Sequence, residues 1–206
     1  AVRWLDAGFF HAQEGNRAIH DVHVDLHLLR GLQLLDSGEK EKALADFIAA
    51  EDYPVNQQII RSKDYERTSQ ILYLQGLCCE SLCRGDEANA AFEAGVSAAK
   101  NHTAALYYKA KSLEKLGRSD EAIAIYNQLV KQGEEQLQKL DDVDFFAKFG
   151  EGESKNIRTA GAPYLIGLGN FGLGERQEAA EAFKAAVETD VNNIWARYYL
   201  KQCGGN

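Results

Sequence analysis

Three groups of residues have the types and the spacing that chemistry uses. Gly167-Leu-Gly169-Asn-Phe-Gly172 spells G-x-G-x-x-G after a short apolar run and before a helical pattern, as a loop cradling a dinucleotide pyrophosphate would. His20, His23 and His27 stand at i, i+3 and i+7 with Asp21 and Asp25 among them, so neighbouring imidazoles share a helix face and could hold a metal. Cys78, Cys79 and Cys83 crowd one stretch, where thiolates could bind zinc or cycle in redox chemistry.

Each group lacks what would complete it. A dinucleotide site needs a strand before the glycines, a second strand after the helix and an acid about 20 residues on. Asp190 could be that acid, but Ile194 to Leu200 reads as helix. The histidines have no H-E-x-x-H arrangement, and an amphipathic helix with polar residues on its rim accounts for them. The cysteines have no fourth ligand close in sequence and sit in an apolar helix, as buried filler would. Asp141, Asp142, Asp144, Glu151 and Glu153 cluster without a recognisable partner, as a solvated acidic segment does. No G-x-S-x-G, P-loop or zincin motif is present, so no enzyme activity, cofactor or metal is expected. Asn101-His-Thr103 is a formal glycosylation sequon.

The elements that must position these residues are helices. Two prolines in 206 residues and no sustained alternation of apolar residues point to helix throughout. A formal charge of −8 without a Lys/Arg cluster repels phosphate backbones, which argues against nucleic acid. No apolar run approaches the ~18 residues that span a bilayer. Four cysteines make no disulfide framework in a chain this long. The chain has no methionine, even at position 1, and is expected to be a fragment of a longer protein. The compartment is left open, with the cytoplasm favoured over the periplasm.

A repeat emerges when the chain is read in register. From Gly31, the offsets +7, +12, +16 and +19 give Gly38, Ala43, Phe47 and Ala50. From Gly76 they give Cys83, Ala88, Phe92 and Gly95; from Ala110, Gly117, Ala122, Tyr126 and Leu129. From Gly167 they give Gly174, Ala179, Phe183 and Ala186. Only Cys83 and Leu129 depart from small–turn–small–aromatic–small. The small residues let two helices approach to roughly 8–10 Å, and the aromatic fills the wedge beside them. In this register the G-x-G-x-x-G is a helix-packing seam.

The pattern resembles the tetratricopeptide (TPR) repeat, whose period is about 34 residues. The expected fold is all-α: a right-handed α–α superhelix of about four hairpins with a capping helix over 193–203. It is expected as a single domain, 1–206, with repeats near 24–54, 69–100, 103–139 and 160–190. Two insertions fall at 53–68 and 133–159. In the second, the helix is expected to reach Leu140, followed by an irregular segment over 141–159 whose Phe145, Phe146 and Phe149 pack back onto the array. Phe9 and Phe10 are expected to plug a gap in the core.

One bacterial family resembles the chain more closely. Its members carry an N-terminal mutarotase-like β-domain of uncharacterised function before a TPR-like array. The array's motifs match Phe10-His-Ala-Gln13-Glu14-Gly15, Leu35-Asp-Ser-Gly38, Ala43-Leu44 with Phe47 and Ala50, and Tyr53-Pro54-Val-Asn56. Tyr107 to Ala122 and Tyr164 to Glu175 are similar as well, while Gln13 replaces the family's usual aromatic. The resemblance implies a missing β-domain rather than an activity.

In TPR arrays the first helix of each hairpin lines a groove at positions three before, one after and four after the small anchor. Here those are Leu28, Leu32 and Leu35; Tyr73, Leu77 and Glu80; Tyr107, Lys111 and Glu114; Tyr164, Leu168 and Phe171. The Lys and Asn of carboxylate-clamp TPR domains are missing. The expected site is an apolar, Tyr-lined groove formed by Leu28, Leu32, Tyr73, Leu77, Tyr107, Lys111, Tyr164 and Leu168. Its expected occupant is a protein or peptide, or the chain's own upstream domain, without nucleic acid or membrane. The alternative is an accessory region of a carbohydrate-binding or carbohydrate-active protein whose chemistry lies in the upstream β-domain.

Overall fold

The computed structural model describes residues 2–8, 10, 18–60, 65–99, 104–143 and 152–204. Ten α-helices and no strand occur among them: α1 (Val2–Ala7), α2 (Ala18–Asp36), α3 (Lys40–Ala49), α4 (Thr68–Ser81), α5 (Gly85–Ala98), α6 (Ala105–Lys115), α7 (Ser119–Val143), α8 (Gly152–Leu173), α9 (Arg176–Thr189) and α10 (Ile194–Gln202). A single 3₁₀ turn, Val55–Gln57, follows α3. The chain divides into two compact units, Ala1–Ala99 and Lys100–Asn206. In the first, α2 pairs with α3 and α4 with α5; in the second, α6 pairs with α7, α8 packs on both α7 and α9, and α10 packs on α9.

The turns α2–α3, α4–α5, α6–α7 and α8–α9 are alike, and the reason is backbone sterics. Gly38, Gly117 and Gly174 take φ of 83°, 76° and 85°, the left-handed region that ends a helix and costs a side chain dearly. The residue after each turn donates its N–H back across it: Glu39 to Leu34 O (2.8 Å), Arg118 to Leu113 O (2.8 Å) and Glu175 to Asn170 O (2.9 Å). Cys83 adopts the same turn, with φ 59° and Arg84 N bonded to Cys79 O at 2.9 Å. It is exposed and lies beyond the end of α4, which corrects its reading as buried filler. The turn geometry governs that position even where the residue is not glycine.

The small–aromatic spacing works by direct overlap of space. A methyl at Gly31 would collide with the Phe47 ring and one at Gly76 with the Phe92 ring; at Gly167 it would lie 2.6 Å from Phe183. Phe47, Phe92, Tyr126 and Phe183 are buried, as are Ala43, Ala88, Ala122 and Ala179 on the same second helices. Removing one such ring from water contributes about 3 kcal/mol, so each hairpin closes on its own aromatic plug. The C-terminal helix starts at Asn193, whose side chain accepts from Ala196 N at 2.9 Å and so satisfies a free donor of the first turn.

Both α7 and α8 reach into the stretch 141–159 expected to be irregular. Helix α7 runs to Val143, and α8 begins at Gly152, inside the stretch read as irregular. Helix α8 runs on through Pro163, and residues 153–160 before it hold no further proline and no run of β-branched residues. Phe9, Gln13 to Gly15, Asn101 to Thr103, Asp144, Phe145, Phe146, Phe149 and Glu151 lie outside the described residues.

Near the N-terminus, Phe10 packs its ring edge-on to Trp4 at 5.5 Å and donates its N–H to Asn56 O at 2.8 Å. The Asn56 amide reaches Leu5 O (2.9 Å) and Gly8 O (2.7 Å). The Tyr53-Pro54-Val-Asn56 motif therefore ties α1 to the end of the first hairpin.

Candidate functional site

The eight residues expected along the groove separate into a floor and a surface. Leu28, Tyr73, Tyr107 and Leu168 are buried, whereas Leu32, Leu77, Lys111 and Tyr164 keep part of their surface. The first helices of consecutive hairpins touch, α2 with α4 and α6 with α8, which is what a shared face requires. Tyr73 rests on Phe92 at 6.1 Å and Tyr164 on Phe183 at 6.1 Å, so the tyrosines lean on the aromatic plugs of their own hairpins. Lys111 is joined to Glu114 one turn on.

In the second unit the capping helix enters this arrangement. Tyr199 of α10 lies 5.5 Å from Tyr107, 5.4 Å from Phe171 and 5.5 Å from Phe183, stacked on the last. Its hydroxyl bonds the Tyr108 hydroxyl at 2.8 Å, and burial pushes the phenol well above its ordinary pKa. Arg176 stacks over Phe171 at 4.5 Å. Tyr107 is thus built into the core of this unit. Spacing identifies Tyr107 but not its α10 neighbour, which stands 92 residues away in sequence.

The G-x-G-x-x-G lies wholly within α8 and faces two neighbours. Gly167 receives Phe183 of α9, while a methyl at Gly169 would stand 2.7 Å from Tyr126 O and one at Gly172 would overlap the Tyr126 ring of α7. All three glycines serve helix approach.

The histidines are not on a solvated rim. His20, His23 and His27 are 1%, 2% and 6% exposed. The physical reason is the cover above them: Tyr53 stacks on His20 at 3.9 Å, and Tyr65 leans on it at 5.0 Å. His23 Nε2 lies 2.9 Å from Ala49 O, and His27 Nδ1 lies 3.0 Å from Asp46 Oδ1. Arg30 also grips Asp46, with Nε to Oδ2 at 2.6 Å. Burial alone would push the Asp46 carboxyl up; Arg30 and His27 more than offset this and hold it below the usual carboxylate range. Burial, together with the Asp21 carboxylate that accepts its hydrogen bond at 2.7 Å, raises the Tyr65 hydroxyl. Arg67 pairs with Asp25 at 2.7 Å. Among the described residues no three His, Cys, Asp or Glu side chains converge as a metal site would need.

Cys78 and Cys79 are buried, and burial pushes both thiols up, which favours the unreactive protonated form. Among the described residues no helix is long and apolar enough to cross a membrane.

Repeated hairpins closed by small–aromatic seams define a helical-repeat protein. The family described as "Tetratricopeptide repeat" matches residues 84–136, from the start of α5 into α7. No curated protein matches the chain. Two solved structures are similar to it. "MamA RS-1 ArsTM double mutant" is 19% identical over 88% of this chain and 83% of that one, with a TM-score of 0.31. "MamA 41-end from Desulfovibrio magneticus RS-1" is 20% identical over 88% and 84%, with a TM-score of 0.30.

Proposed function

We propose that this chain is a non-enzymatic protein-interaction scaffold that takes a peptide or a partner surface along the first helices of its hairpins. Leu32 and Leu77 in the first unit, and Lys111 and Tyr164 in the second, are the contact residues. Leu28, Tyr73, Tyr107 and Leu168 support them from beneath. The observation that carries this reading is the tetratricopeptide match over 84–136 together with first helices whose apolar residues stay partly accessible. Partly exposed leucines in the first unit, and a partly exposed tyrosine in the second, each suit an apolar segment, because they offer area at little ordering cost.

The test is peptide selection by phage display on the purified chain, followed by binding of the enriched peptide to Leu32→Glu/Leu77→Glu and Lys111→Glu/Tyr164→Glu. Circular dichroism checks that both variants remain folded. At least one should lose tenfold or more in affinity. Unchanged affinity in both folded variants sinks the assignment.

A second reading, an accessory region of a carbohydrate-binding protein with an upstream β-domain, is favoured by one observation. Phe10 and Asn56, from two of the motifs that carry the family resemblance, bond to each other. Glycan arrays probed with this chain and with the full-length protein separate the readings: glycan binding by this chain alone would replace the scaffold proposal.

A further inference from the structure

The C-terminal helix stands on residues that the repeat register assigns to the groove. Tyr107 of α6 and Phe171 of α8 are two of them, and the Tyr199 ring lies 5.5 Å from the first and 5.4 Å from the second. We propose that α10 is a built-in occupant of the second unit's face. It fills the place between α6, α8 and α9 that a partner helix with a Trp and a Tyr one turn apart takes by displacing it. This deepens the scaffold reading and rests on it for the face concerned.

The groove tyrosines show what α10 adds. Tyr73 leans on Phe92 at 6.1 Å, Tyr107 on Tyr126 at 6.0 Å and Tyr164 on Phe183 at 6.1 Å, so each hairpin supports its own tyrosine with its own plug. Tyr199 is a further ring, brought by an element outside the hairpins. It is 7% exposed, stacks on Phe183 at 5.5 Å and shares a hydrogen bond with the Tyr108 hydroxyl at 2.8 Å. Burial first, then the phenols of Tyr108, Tyr107 and Tyr164, push its own hydroxyl above the ordinary value. Trp195 stands one turn earlier on the same side of α10 and is buried too, as is Ala196 beside it.

Helix α10 can leave this seat without unmaking a hairpin. The Gly167–Phe183 seam beneath it is made by α8 and α9 alone. The link over 190–193 is open to solvent, with Val191 63% exposed. At nine residues α10 falls short of the ~12–15 that sustain a helix alone in water, so its helicity depends on the seat. Arg176 latches it from an exposed position, stacking on Phe171 and donating to Gln202 O at 2.9 Å. A short tether presents α10 to its seat at an effective concentration on the order of millimolar, which excludes weak ligands and yields to a tighter helix. Displacement adds Tyr107 and Phe171 to the contact face around Tyr164.

The probe is a fluorescently labelled peptide of residues 190–202, titrated into the purified chain and into Trp195→Ala/Tyr199→Ala. Both changes lie in α10 and leave the seat on α6, α8 and α9 intact, and circular dichroism checks that the variant is folded. The peptide should bind the variant about tenfold or more tighter than the unaltered chain. A peptide carrying Tyr199→Ala should bind the variant about tenfold or more weaker than the native peptide does. Equal affinity for the two chains overturns the proposal; so does no binding to the folded variant, or equal binding of the two peptides. Should the variant fail to fold, hydrogen exchange of the unaltered chain decides. Amides of 194–202 should exchange about tenfold or more faster than those of α9, because the opening is local, and equal protection refutes the idea. Neither readout uses an outside partner, so failure here is distinct from failure of the scaffold reading, which the Leu32, Leu77, Lys111 and Tyr164 variants test.

Discussion

The two units use the same hairpin and fill it differently. The first closes Gly31 on Phe47 and Gly76 on Phe92, yet surrounds those seams with buried polar groups: three histidines, Asp46, Gln57, Ser69 and Gln70. The second closes Gly167 on Phe183 and gathers Tyr107, Tyr108, Phe171, Trp195 and Tyr199 around it. Charge follows the same division. Residues 1–99 hold nine Lys/Arg against sixteen Asp/Glu, and residues 100–206 hold fourteen against fifteen. The seam fixes only which atoms must touch; what lies beside it differs, buried polar groups in the first unit and aromatic rings in the second.

That contrast can be broken from either side. The largest effect should come from Phe183→Ala, which empties the plug beneath Tyr164, Phe171 and Tyr199 and should cost about 3–5 kcal/mol. Chemical denaturation gives the total, and exchange should localise the loss to 104–204. Next is Asp46→Ala, expected to cost about 2 kcal/mol because His27 and Arg30 lose a charged acceptor. The Asp46 carboxyl is held low in the folded state, so its contribution is present above about pH 4 and is lost as pH falls further through the folded value. Denaturation from pH 3 to 7 should therefore show a shallower acid slope in the variant.

A smaller loss, about 1 kcal/mol, is expected for Tyr199→Phe, which strips the Tyr108 hydroxyl of its buried partner. The smallest effect should have the opposite sign. Cys83→Gly relieves a side chain at φ 59° and should stabilise the first unit by about 0.5–1 kcal/mol, seen as a higher midpoint.

Much of this architecture was legible in the sequence because the seam is a steric identity. A residue without a side chain followed sixteen positions later by a ring predicts Gly31 with Phe47, Gly76 with Phe92 and Gly167 with Phe183. Spacing also removed the G-x-G-x-x-G from the list of phosphate loops, although it did not assign Gly169 and Gly172 to Tyr126 and Val130 of α7. Three features were beyond it. The register put Cys83 at the turn position while its apolar neighbours suggested a buried helix residue, and periodicity, which reports faces and not φ, could not choose between them. Histidine suits a rim or an interior, and what buried this column was Tyr53 and Tyr65, from the irregular stretch between hairpins. The candidate interaction face was legible as a set of positions, but burial separates Leu28, Tyr73, Tyr107 and Leu168 from Leu32, Leu77, Lys111 and Tyr164. That separation depends on neighbours, such as Tyr199, that local spacing does not name.

Helix α8 has a further consequence, written in descent rather than in energy. Gly167 commits one side of it to α9, while Gly169 and Gly172 commit the other to α7. A lineage that enlarges residue 172 must shrink residue 126, and one that enlarges 167 must shrink 183. In an alignment of relatives these positions should drift as two linked pairs, with α8 changing more slowly than either neighbour. Its glycine signature would then persist across species in the manner of a ligand motif, although packing alone maintains it.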